Sequence, residues 1–191
     1  MGFVARTPTE YPQADSLTHF TRGLGLARLG DRVGAAREID AMERLRAAME
    51  KSGDGYWADR TREQILAVSA WVALGEGANE RAATLMRQAA DSEDASIKHV
   101  AMENRLYPMR ELLGELLLEA GRSNDALTEF TKALKQQPNR YRGLYGAARA
   151  AEAAGDAATA KAFYANLIEL SKQAEGRRPE LQRAQAFVGP K

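Results

Sequence analysis

The sequence predicts an all-α protein assembled from about four helix–turn–helix units and closed by a C-terminal capping helix. Three observations carry this. Helix formers (Ala, Leu, Glu, Arg and Gln) dominate, and the six prolines sit mostly at the margins. Glycines punctuate the chain at Gly30-Asp31, Gly53-Asp54-Gly55, Gly75-Glu76-Gly77, Gly121-Arg122-Ser123 and Gly155-Asp156, each just past an apolar segment of helical period. A shift of 34 residues brings Gly121 onto Gly155, Ala126 onto Ala160, Phe130 onto Tyr164 and Ala133 onto Leu167.

The elements follow in order. Residues 1–14 read as a polar N-terminal segment, and residues 15–188 as one repeat domain. The first unit, about 16–52, is marked by Gly23, Gly30, Ala35 and Ile39. The second, about 56–96, is marked by Gly77, Ala82, Met86 and Ala89, with Ala70 in its first helix where a glycine is expected. "LAVSAWVAL" (66–74) resembles a strand in isolation. Yet Trp57, Ile65, Val68, Val72 and Leu74 around it keep helical spacing, so a helix is expected. The first two units are spaced more widely than 34 residues, which implies insertions. One is the lengthened hairpin around "AAMEKSGDGYWADR", and the other is Asp91–Leu106, polar, aperiodic and read as a loop.

The third unit (about 107–140) opens with Tyr107-Pro108, proline suiting a first helical turn. The fourth covers about 141–174, a capping helix with Pro179 in its first turn covers 179–188, and 189–191 is a tail. At each joint a glycine relieves the left-handed conformation past a helix end, and a following Asp, Ser or Asn can cap the next helix. Joints this short impose antiparallel neighbours.

The residues Leu113-Gly114, Ala126, Phe130, Ala133 and Pro138 resemble the tetratricopeptide repeat, departing from it at Arg110 and Leu117, where the family often has aromatics. The resemblance covers about residues 16–174 and extends to the C-terminal region of longer bacterial proteins of this type. It implies a right-handed α–α superhelix with the first helix of each unit lining the concave side. Registered on the matched glycines, the groove-facing residues are Phe20, Leu24, Val68, Trp71, Glu111, Glu115, Arg142, Tyr145 and Arg149. The implied function is a non-enzymatic scaffold that binds a peptide or protein segment in this groove. Family members that grip a C-terminal carboxylate use Lys and Asn at such positions. Glu111 and Glu115, one turn apart, would repel it. A mixed-charge segment anchored on Trp71 and Tyr145 fits better. Alternatively, Glu111 with Arg142 or Arg149 forms an ion pair between units, worth little energy.

Composition bounds the remaining possibilities. The 27 basic and 26 acidic residues leave a formal charge of +1, which argues against nucleic acid or an anionic membrane as a general partner. The chain has no cysteine, so disulfides, thiol nucleophiles and Cys-ligated metals are excluded. "MGFVARTPTEYPQADS" holds no long apolar run, and Arg6 stands where a myristoylation signal needs Ser or Thr. A cytoplasmic location is therefore expected, and the chain could be a piece of a longer one.

H-E-x-x-H, G-x-S-x-G, P-loop and Rossmann glycine patterns are all missing from the sequence, and no cofactor is expected. "GLGLARLG" at Gly23 follows no strand and reads as close helix packing. A second function class is a metal-dependent or catalytic protein using His19 and His99. Two histidines need carboxylate partners such as Asp94 or Glu103 to complete a site. A third is a structural module that forms homo-oligomers. Tyr56 and Trp57, after the Gly-Asp-Gly turn, either staple the long hairpin or form an exposed aromatic docking site.

Overall fold

The described residues form nine α-helices and no strand. In this computed structural model they are residues 9–96, 107–174 and 178–189. The helices are α1 (Pro12–Arg28), α2 (Arg32–Lys51), α3 (Gly55–Gly75), α4 (Asn79–Ala95), α5 (Met109–Glu119), α6 (Ser123–Gln136), α7 (Tyr141–Ala153), α8 (Ala157–Leu170) and α9 (Pro179–Val188). They fall into two compact units, α1–α4 in the first and α5–α9 in the second. In each unit every helix packs on the next, and the first helices of successive pairs also touch, α1 on α3 and α5 on α7. This is the neighbour pattern of stacked helix pairs, in which each pair covers the apolar face of the one before.

The joints are built as the glycines suggest. Past α5, Gly121 takes φ 76° while its N–H donates to Leu118 O and the Arg122 N–H donates to Leu117 O at 2.8 Å. These two bonds satisfy carbonyls that the helix end would otherwise leave bare. Thirty-four residues on, Gly155 repeats the arrangement at φ 81°. Asp31 and Asp156 then cap α2 and α8, their carboxylates accepting from Gly34 N–H at 2.8 Å and Thr159 N–H at 3.0 Å.

Two element boundaries differ from the sequence expectation. The first helix already starts at Pro12, because Asp15 in its first turn reaches back to accept from Thr9 N–H (2.8 Å) and Thr9 Oγ1 (3.1 Å). The stretch from Asp91, expected to be loop, continues α4 as far as Ala95. Ala89, Ala90 and Glu93 keep the helix's inner face buried to that point. Residues 97–106 of the expected loop lie outside the described residues, as do most of the N-terminal segment and the last two tail residues.

In the first unit α1, α2 and α3 enclose Phe20, Leu24, Ala35, Met42, Val68 and Trp71. Beside this apolar core runs a buried polar seam between α1 and α3. Ser16 Oγ donates to Gln64 Oε1 at 2.7 Å, and Thr61 Oγ1 donates to Ser16 Oγ at 3.1 Å. In the second unit Leu112, Leu113, Leu116 and Leu117 of α5 are fully buried. The Phe130 ring of α6 is wedged against two first helices at once. A Cβ added at Gly114 would stand 2.9 Å from this ring, and one added at Gly146 only 2.3 Å. Glycine at both positions lets α5 and α7 close around the aromatic. Tyr164 in α8 is the register equivalent, buried against α9 with the Phe187 ring 5.1 Å away.

Candidate functional site

The nine residues expected on an open first-helix face divide into two groups. Phe20, Leu24, Val68, Trp71 and Glu111 are buried, and this corrects their assignment as groove-lining residues. The physical reason is the same for the four apolar ones. The first helices of neighbouring pairs touch, so an apolar side chain facing the neighbour is swallowed by the contact. Trp71 is 2% exposed, with the Arg28 guanidinium 3.9 Å above its ring and its indole N–H meeting no acceptor among the described residues. It cannot serve as an exposed anchor in this conformation.

Glu111 is 1% exposed and lies beneath Arg140, whose Nε donates to Oε1 at 2.6 Å. Its other flank is the backbone of Gly143, where a Cβ would come within 3.1 Å of the same oxygen. Ion pairing between helix pairs does occur, but with other partners than expected. Glu111 takes Arg140, at the N-cap of α7, and Glu115 takes Arg142. Arg149 takes neither.

What remains accessible lies on the second unit. Arg142, Tyr145 and Arg149 recur at i, i+3 and i+7 along α7 and share one face. Arg142 Nη2 donates to Glu115 Oε1 and to the Tyr107 hydroxyl, both at 2.8 Å, and Tyr107 in turn donates to Glu115 Oε2. The guanidinium also lies 4.7 Å from the Tyr107 ring. Its side chain is still 56% exposed, so the pair sits at the rim of solvent. One turn along, Tyr145 is half-buried, its ring 6.3 Å from Tyr164 and 5.9 Å from the exposed Arg149 guanidinium.

The row ends in a triad. Glu152 accepts from the Tyr164 hydroxyl at 2.7 Å and from Arg183 Nη2 of α9 at 2.9 Å. Burial pushes the Glu152 carboxyl up, but hydrogen bonds from Tyr164 and Arg183 and the positive charges of Arg183 and Arg149 outweigh it and hold the carboxyl below its usual range. Burial, with the hydrogen bond to Glu152, pushes the Tyr164 phenol up to about 12. The hydrogen bond to Glu152 raises Arg183 further above its ordinary value.

Sequence reasoning missed Tyr107, Arg140 and Arg183 as members of this surface. Each stands at or beyond an end of α5, α7 or α9, or one turn inside α9, where helical registration on the glycines has no reach. It also missed Arg110, which replaces an aromatic of the repeat pattern. Arg110 Nη1 donates to Glu129 Oε2 at 2.7 Å, with both side chains 8% exposed, so α5 and α6 are joined by a buried ion pair.

His19 Nδ1 is 2.6 Å from Glu38 Oε2, and Arg22 Nη2 lies 3.0 Å from the other oxygen of that carboxylate. A guanidinium already neutralises the one carboxylate beside the imidazole, which disfavours a divalent cation there. His99 and Glu103 lie outside the described residues, and the described residues hold no cluster of three metal-ligating groups. Tyr56 and Trp57 are half-buried and packed edge to face at 5.1 Å, with Arg60 5.3 Å from the Tyr56 ring. No described helix is long and apolar enough to cross a membrane.

No family model matches the sequence, and no curated protein matches it. Among solved structures, MamA of AMB-1 is similar at 17% identity and a TM-score of 0.48, over 85% of this chain and 94% of that one.

Proposed function

We propose that the chain is a non-enzymatic helical-repeat scaffold of tetratricopeptide type. It binds a peptide or protein segment along the first-helix face of its second unit, over Glu115, Arg142, Tyr145 and Arg149. The observation that supports this is the composition of that face. Phe20, Leu24, Val68, Trp71 and Glu111, on the first helices, are buried. The exposed row on α7 instead carries two arginines and a half-buried tyrosine. Arg and Tyr are the residue types that most often dominate binding energy at protein interfaces, because each pairs a large flat contact area with directional donors. Tetratricopeptide-like folds host unrelated tasks, so the reading rests on this face and not on the fold.

Photo-crosslinking tests it directly. A photoreactive amino acid placed at Arg149 should crosslink a polypeptide from the host extract, whereas one at Lys161, exposed on α8, should not. Equal crosslinking at both positions, or crosslinking at Lys161 alone, overturns the reading.

A further inference from the structure

We infer that the segment bound by the second unit presents an acidic side chain to Arg149; this deepens the function proposed above and rests on it. Charge is the first observation. The total of +1 conceals an asymmetry: Met1–Asn104 holds 13 basic and 16 acidic residues, a formal −3, while Arg105–Lys191 holds 14 basic and 10 acidic, a formal +4. The unit that carries the accessible row is therefore the cationic one.

The second observation is how the cations of the row are satisfied. Arg142 is matched by Glu115, and Arg183 by Glu152. Arg149 lies between these pairs, exposed, and has no ion-pair partner within 4 Å among the described residues. Glu152, three residues on, is its nearest candidate on α7, but Arg183 Nη2 and the Tyr164 hydroxyl already occupy that carboxylate. The triad thus withholds the internal partner and leaves the Arg149 fork facing solvent.

The third observation is Tyr145. Its ring stands 5.9 Å from the Arg149 guanidinium and is itself steadied by Tyr164 at 6.3 Å. A guanidinium held beside an aromatic face keeps its planar donors available for two parallel bonds to a carboxylate, and less freedom is lost when they form. The Tyr145 ring next to it offers apolar area to the residue flanking the acid. The occupant that fits is a segment with Asp or Glu beside an apolar side chain.

Selection from a random-peptide phage library on the full chain tests this. Enriched peptides are expected to share an Asp or Glu. Its replacement by Asn or Gln in the synthetic peptide should weaken binding about tenfold, the scale of one charge-assisted hydrogen bond. Arg149→Gln should cause the same loss with unchanged circular dichroism and thermal unfolding, and raised salt should weaken the wild-type complex. Arg149→Gln should also abolish the effect of the acid-to-amide change, which a merely structural role would not do. Three results overturn the inference and leave the scaffold reading standing: peptides that bind Arg142, Tyr145 and Arg149 without an acid, an acid whose replacement has no effect, or an acid that answers to Arg142 instead. Selection that enriches nothing, together with Arg149-dependent self-association in light scattering, assigns the surface to a second copy of the chain and overturns both. No enrichment and no self-association also removes both.

Discussion

Gly146 has no side chain because Phe130 occupies the place where one would be. A Cβ 2.3 Å from the ring cannot be absorbed by a flexible side-chain end, since the ring is itself held against Gly114. Gly146→Ala should therefore destabilise the second unit by about 1–3 kcal/mol through overpacking, despite the gain of up to about 1 kcal/mol in helix propensity. Urea denaturation measures this, and Phe130→Leu in the same chain should recover part of the loss. Tyr164 sets a pH limit of a different kind. Its phenol is raised from 10.0 to about 12, so its contribution is complete below pH 10 and is lost as pH climbs from 10 through 12. The wild-type melting temperature should fall across that window, and Tyr164→Phe should flatten the fall. The lowered Glu152 carboxyl acts on the acid side. Its contribution is present above the ordinary value of 4.5 and is lost as pH drops below it. At this scale Phe130, Gly114 and Tyr164 were legible, because a 34-residue register singles out residues that must pack. Trp71 was misread. Registration places it on a first helix, but only the structure reveals that Arg28 and the neighbouring helices cover it.

At the level of helices, the second unit is fastened by charge as well as by apolar packing. Arg110 and Glu129 join α5 to α6 with both groups almost dry. Removing one partner strands the other, and such losses run at about 3–5 kcal/mol when the pair is buried. Arg110→Ala should approach the lower end of that range, because Lys132 also reaches Glu129 at 2.9 Å and would partly neutralise it. Arg110→Met, which keeps the volume, should cost more than replacing both residues with apolar ones. Chemical denaturation of the two single variants and the double variant checks this. The sequence marks Arg110 only as a departure from the repeat pattern. Its partner lies 19 residues on, beyond any local rule of helix pairing. Element boundaries were legible where a glycine takes positive φ and illegible where burial decided. Thus α5 and α7 end as their glycines suggest, whereas α4 outruns its expected end because Glu93 and its neighbours still face the core.

On the scale of the molecule, two compact units with separate cores predict separable folding. The isolated 105–191 segment should be helical by circular dichroism and should unfold cooperatively; a random-coil spectrum would refute this. Stability in stacked helix pairs is largely a sum of terms within each pair and between neighbours, so α5–α9 keep among themselves the packing that each helix makes with the next. The existence of four pairs and a closing helix was readable from spacing alone, since every pair repeats one packing problem. The accessible surface was not, because it depends on which arginine reaches which glutamate across helices far apart in sequence. Repetition also creates a hazard during folding: similar helices compete for the same neighbour. The seam of Ser16, Thr61 and Gln64 bears on that competition. Were α1 to bury the same face against any helix other than α3, the Ser16 hydroxyl would lose both Gln64 and Thr61, and a buried hydroxyl without partners is costly. The Ser16–Thr61–Gln64 seam thus favours the pairing of α1 with α3 over any docking that supplies no matching polar partners.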